Sequence, residues 1–222
     1  MTDSTLAENV ADALRTAIFA GEYLSGERLL ELALAHELRV SQSTVRDALR
    51  ILEHDGLVVK RPRLGVYVRA FTPDEAGEVY ALWAAVEGIA LDRAVGRVEA
   101  ATLARLRMVI GDARRSMPAG PARGFIDALF AVHGGIAQAG GGALTAALLA
   151  RLHNQGRLLE ILRQMRAPRG FRQQQARLNA CATMLDALEA GSASAARAAL
   201  NSALAADRAA LLPLLEDQPF MR

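Results

Sequence analysis

Ser41, Gln42, Ser43 and Thr44, followed by Arg46 and Arg50, gather hydroxyl, amide and guanidinium groups in a stretch whose other positions include Val45, Ala48, Leu49 and Leu52. The apolar set recurs at helical spacing and forms one stripe, leaving Gln42, Ser43, Arg46 and Arg50 on the opposite side. Such side chains reach base edges and phosphates in a major groove. Ser41 is a good N-cap, and the capped helix end adds backbone donors aimed at a phosphodiester. Further on, Lys60, Arg61 and Arg63 flank Pro62 and Gly65, a basic hairpin tip able to lie on the sugar–phosphate backbone or enter the minor groove. From Arg39 to Arg69 there are seven basic residues against three acidic. The whole chain of 222 residues carries a formal net charge of only +2, so a polyanion would be met by this local patch and not by a uniformly positive surface.

The elements that must position these groups follow from periodicity. Leu6, Val10, Ala13, Leu14 and Ile18 predict a first helix ending near Gly21. YLSGERL reads as a turn, and a second helix runs from about Leu30 to Leu38 with Leu30, Ala33, Leu34 and Leu38 inward. ELRVS turns the chain sharply into the third helix, which closes at Gly56. LVVK and VYVR are short β-branched runs separated by RPRLG, the signature of a hairpin. Helix, helix, turn, helix, hairpin is the plan of a winged helix-turn-helix, placed at residues 1–71.

From Thr72 onward no strand signal remains. Thr72 caps a long helix with Asp74 and Glu75 in its first turn. Further helices are predicted over about Ala101–Met117, Ala122–Ala139, Ala143–Met165, Phe171–Ala190 and Ser194–Leu215. The fold class is therefore mainly α: the winged domain followed by an all-α antiparallel bundle at residues 72–222.

Cys181 is the sole cysteine, which excludes an internal disulfide and a multi-cysteine metal site and suits a reducing compartment. The N-terminus lacks the basic segment and apolar run of a secretion signal. Alanine-rich runs such as GGIAQAGGGALTAALLARL are broken by glycine and end in charge. A cytoplasmic protein with no membrane partner is the expectation. His36, His54, His133 and His153 show no nucleophile–base spacing, so an enzyme is disfavoured. A sensor module that no longer binds DNA would not explain the retained Arg46, Arg50 and basic wing.

The stretch LRTAIFAGEYLSGERLLELALAHELRVSQSTVRDALRILEHDGLVVKRPRLGVYV resembles the GntR transcription regulators almost end to end. The following TPDEAGEVYALWAAVEGIAL and the helical remainder are similar to the FadR branch with an FCD ligand-binding domain. The resemblance implies a homodimeric regulator, such as a repressor, that binds a palindromic operator in double-stranded DNA and responds to a small-molecule effector. DNA-contacting positions would be Ser41, Gln42, Ser43, Thr44, Arg46, Arg50, Lys60, Arg61, Arg63 and Gly65. Where most relatives carry Arg after the capping serine this chain has Gln42, an amide better suited to adenine than to guanine. Aminotransferase-like fusions also occur among GntR proteins, but the only lysine here is Lys60 in the wing, leaving none for a Schiff base.

The resemblance also implies a divalent metal in many FCD domains, held by an Asp and a His four apart plus two later histidines. Here the positions read Leu129, His133, Cys181 and Ala203. Asp127 does not substitute, since six residues place it about 240° around the helix from His133. No metal and no other cofactor are therefore expected, with His133 and Cys181 left to line a cavity or pack in the core. Trp83 stands where relatives often carry a carboxylate-binding arginine. Either it shapes the pocket for a flat, apolar effector or it fills that pocket. Glu87, Arg151, Asn154 and Asn179 complete the candidate effector pocket.

Overall fold

The computed structural model describes residues 5–117, 122–168 and 170–216. Helix α1 (Leu6–Ala20) starts at a capping box in which Thr5 and Glu8 satisfy each other's backbone N–H groups, and it ends at Gly21 in the left-handed region. Its inner stripe of Val10, Leu14 and Ile18 packs on helix α3 (Gln42–His54), whose Val45, Ala48, Leu49 and Leu52 are buried. Helix α2 (Glu31–Leu38) lies between them in sequence and ends at Arg39 with φ 55°, the kink that redirects the chain into α3.

The sheet has three strands where the sequence predicts two. β1 (Arg28–Leu29), β2 (Val58–Arg61) and β3 (Gly65–Val68) form an antiparallel sheet in the order β1–β3–β2. Leu29 pairs with Val66 and Arg61 with Gly65. β1 falls inside the segment read as a turn, because two residues cannot show a period. The inner face of α2 also differs from expectation: Leu34 and Ala35 are buried, whereas Leu30 and Ala33 are exposed.

The chain divides into two compact units between Ala70 and Phe71. The second unit is a bundle of α4 (Pro73–Ala94), α5 (Ala100–Ser116), α6 (Ala122–Gly140), α7 (Ala143–Arg166), α8 (Phe171–Glu189) and α9 (Ala193–Glu216). The Thr72–Glu75 capping box begins α4, which packs against α6, α7 and α9, while α8 packs on α9 and α5. Glycine permits the closest approaches: a Cβ on Gly140 would stand 2.4 Å from the Ala90 carbonyl oxygen, and one on Gly156 would stand 2.5 Å from the Trp83 ring. No helix among the described residues is long and apolar enough to cross a membrane.

Candidate nucleic-acid interface and buried polar core

Burial of Val45, Ala48, Leu49 and Leu52 turns the other side of α3 outward, and Gln42, Ser43, Arg46 and Arg50 are all exposed. The Ser41 hydroxyl accepts the Thr44 backbone N–H at 3.1 Å, and Thr44 itself is half-buried. Arg46 is held in place by a residue that the sequence pattern did not single out. Its Nε and Nη2 donate to Glu31 Oε2 at 3.2 and 2.9 Å, and Gln42 Nε2 donates to the same oxygen at 3.1 Å. Hydrogen bonds from Arg46, then from Gln42, hold the Glu31 carboxyl below its usual range against the opposing effect of partial burial. Arg50 pairs with Asp47 at 3.0 Å.

The wing presents Lys60, Arg61 and Arg63 to solvent. Arg61 lies over the Tyr67 ring at 4.8 Å. Arg63 has φ 63° and Gly65 φ 110°, and a Cβ on Gly65 would meet Arg28 Nε at 3.1 Å. That tight tip is where only glycine fits without strain. Gln42 from the start of α3 and Arg63 and Gly65 from the wing line one open groove of about 1280 Å³, together with Arg28 and Glu31. The first residue of α3 and the hairpin tip therefore border the same groove, whose wall is otherwise formed mostly by residues between Arg28 and Val40.

In the bundle, the candidate pocket residues separate into two groups. Trp83, Glu87, His133 and Cys181 are buried together, whereas Arg151 and Asn179 are exposed and Asn154 is half-buried. Arg151 and Asn179 thus do not join the interior; Asn179 accepts a hydrogen bond from Arg114 at 2.6 Å. Trp83 is 2% exposed, stacks on Phe130 at 5.5 Å and donates its indole N–H to Glu87. It is packed as core, which favours the space-filling reading over a flat ligand surface.

Glu87 is the hub of this core. Its Oε1 lies 2.6 Å from His133 Nδ1 and its Oε2 3.2 Å from His153 Nε2. Burial opposes its charge, but His133 and His153, whose ring nitrogens meet its two oxygens, outweigh that and hold the carboxyl far below its usual range. His133 is shifted down as well, below 6.5, by burial first, with Arg177 and His153 adding to it and Glu87 resisting.

On its far side His133 Nε2 meets Arg177 Nη2 at 3.2 Å. Arg177 Nε donates to Asp207 at 2.7 Å, and Nη1 lies 3.9 Å from Cys181 Sγ. Burial pushes the Cys181 thiol up to about 11, with Arg177 opposing. His153 and Arg177 were not among the candidates, because a charged residue on a helix reads as solvent-facing until its neighbours are known.

A cavity of about 680 Å³ opens between α8 and α9. Arg177 and Asp207 lie in its wall with Gln173, Thr183 and Ser202, and alanines leave the space. Of the residues at expected metal-ligand positions, Ala203 lines this cavity and Leu129 is core; neither offers a ligand atom. Asp127, half exposed, pairs with Arg157 and Arg123 at the surface and not with His133.

Two family models match the chain: bacterial regulatory proteins of the gntR family over residues 6–68, and the FCD domain over residues 78–206. It is 29% identical over 104 residues to the HTH-type transcriptional regulator YdhC of Bacillus subtilis, an alignment covering 47% of this chain and 46% of that one. It is 37% identical over 84 residues to the gluconate operon transcriptional repressor of Bacillus licheniformis, covering 38% of this chain and 34% of the repressor. The chain thus aligns with less than half of each of these relatives. Among solved structures, a GntR transcriptional regulator from Rhodococcus sp. RHA1 superposes with a TM-score of 0.77 and 28% identity, covering 93% of this chain and 97% of that one.

Proposed function

Because the chain belongs to the bacterial GntR regulatory family and carries an FCD domain, we propose that it binds a palindromic operator in duplex DNA as a homodimer, with the affinity tuned by a small-molecule effector. It is a regulator and not an enzyme, and it acts in the cytoplasm, where its DNA would be met. The observation that carries the reading is the shared groove: Gln42 and Arg63 line it together, with Arg46 tied to Glu31 on its border. α3 enters the major groove, Gln42 reaches base edges, and Ser41, Ser43, Thr44, Arg46 and Arg50 reach the backbone. Lys60, Arg61 and Arg63 at the wing grip phosphates or the adjoining minor groove, with Gly65 allowing the tight tip.

The effector enters the cavity between α8 and α9, whose wall offers a donor in Arg177 beside an acceptor in Asp207. Binding there shifts the populations of dimers whose reading heads are well or poorly spaced, through the link at Ala70 to Pro73. Repression follows when the operator overlaps a promoter. Mobility shift with DNA from upstream of the protein's own gene tests the reading: a retarded complex that competitor DNA of scrambled sequence does not displace is expected. No retardation at any salt concentration would refute it and leave the sensor-module alternative.

A further inference from the structure

We propose that the Arg177 guanidinium is the resident cation of the bundle core, fixing the His133 tautomer so that neither ring nitrogen is free to hold a metal ion. The inference concerns the helical unit and is independent of the DNA-binding reading.

The family resemblance implies a metal beside His133, and the residues present do not fit one. The grouping with the most suitable atoms is Glu87, His133 and His153, whose potential ligand atoms lie within 4.8 Å of one another. Its internal distances are those of hydrogen bonds. Ligand atoms about 2.1 Å from a tetrahedral metal stand roughly 3.4 Å apart, whereas Glu87 Oε1 and His133 Nδ1 are 2.6 Å apart.

Hydrogen-bond direction excludes a metal more firmly. A guanidinium has only donors, so His133 Nε2, 3.2 Å from Arg177 Nη2, must accept, and the ring proton must sit on Nδ1 facing the Glu87 carboxylate. A neutral histidine bound to metal through Nδ1 would carry its proton on Nε2 and aim it at the N–H of Arg177. Binding through Nε2 would require displacement of the guanidinium. Both routes are closed while Arg177 stays in place.

Arg177 is placed to stay. It is 4% exposed, and its Nε is paired with Asp207 at 2.7 Å. An imidazole, a thiol and a carboxylate, three chemical types that ligate metals, surround the guanidinium as His133, Cys181 and Asp207. Glu87 on α4, His133 on α6, Arg177 on α8 and Asp207 on α9 form one chain of polar contacts across four helices, and its last two members are open to the cavity. An effector there would reach the chain directly, with no metal as intermediary.

The experiment is ring-nitrogen NMR on the full chain labelled with ¹⁵N-histidine, with His133 assigned from His133→Gln. The expected wild-type spectrum shows His133 protonated at Nδ1 and accepting at Nε2, before and after one equivalent of zinc chloride. In Arg177→Met the Nε2 signal shifts as that nitrogen loses its donor, while Nδ1 keeps its proton against Glu87; Arg177→Lys, which keeps a donor, retains the wild-type Nε2 signal. Wild-type His133 protonated at Nε2, or shifting in proportion to added zinc, would overturn the proposal, as would an Arg177→Met spectrum identical to wild type. The wild-type titration decides the matter even if Arg177→Met fails to fold.

Discussion

At the scale of single residues, charge placement controls the proposed function. Glu31 gathers Arg46 and Gln42 on one carboxylate oxygen, so DNA must compete for groups that already have a partner. Exposed pairs of this kind contribute about 0.2–1 kcal/mol. Glu31→Gln should therefore tighten DNA binding a few-fold and relax discrimination between sequences, measured as affinity for operator against scrambled duplex. Arg46→Ala should weaken binding to operator and scrambled duplex alike, while Gln42→Arg should change which sequence is selected. In the bundle, His133 titrates below its unfolded value of 6.5, so below that pH the unfolded chain binds a proton that the folded chain refuses. Stability is complete above about 6.5 and falls as pH drops through it, by at most about 1.4 kcal/mol per pH unit. The groups facing the ring are Glu87, His153 and Arg177, with Asp207 behind. The melting temperature should decline from pH 7.5 to 5.5, and His133→Gln should flatten that slope; parallel curves would contradict it. The basic residues of α3 and the wing were legible because their neighbours are apolar at regular spacing. Glu31 and Arg177 were not, because their partners are distant in sequence: Arg46 is on another helix, and His133 and Asp207 are on two others.

At the scale of elements, local chemistry explains why helix and wing hold their shape. Ser41 caps α3 through the Thr44 N–H, and Ser41→Ala should lower stability by about 1 kcal/mol, read as a lower denaturant midpoint with unchanged slope. Gly65 sits at φ 110° against Arg28, so Gly65→Val should strain the tip by roughly 1–3 kcal/mol and weaken DNA binding more than it lowers the melting temperature. Gly156→Ala pushes a methyl into the Trp83 ring and should destabilise the bundle by about 1–3 kcal/mol, measured by the same unfolding curve. The limits of α5 to α9 lie within two residues of expectation, because glycine- and proline-rich breaks interrupt strong apolar periods. β1 escaped notice since pairing with β3 is tertiary information. The buried face of α2 differs from expectation because in a helix of 8 residues two neighbouring apolar stripes are nearly equivalent.

At the scale of the whole molecule, a family of regulators and a fold of two compact units frame one physical claim: that α3 and the wing tip form a single cationic surface for duplex DNA. The composition predicted a local patch, and the groove shared by Gln42 and Arg63 supplies its geometry. The cavity between α8 and α9 was less legible, because it depends on alanines such as Ala199 and Ala206, which in sequence look like ordinary helix formers. Homodimerisation predicts twice the chain mass at micromolar concentration, by light scattering, and a single-chain mass would remove the palindromic operator from the account. The most direct test is the affinity of the full chain for its upstream DNA as a function of salt. Counterion release requires log affinity to fall linearly with log salt, and Arg46→Ala and Arg63→Ala should each reduce that slope by about one. An affinity indifferent to salt, or slopes unchanged in both variants, would contradict the claim.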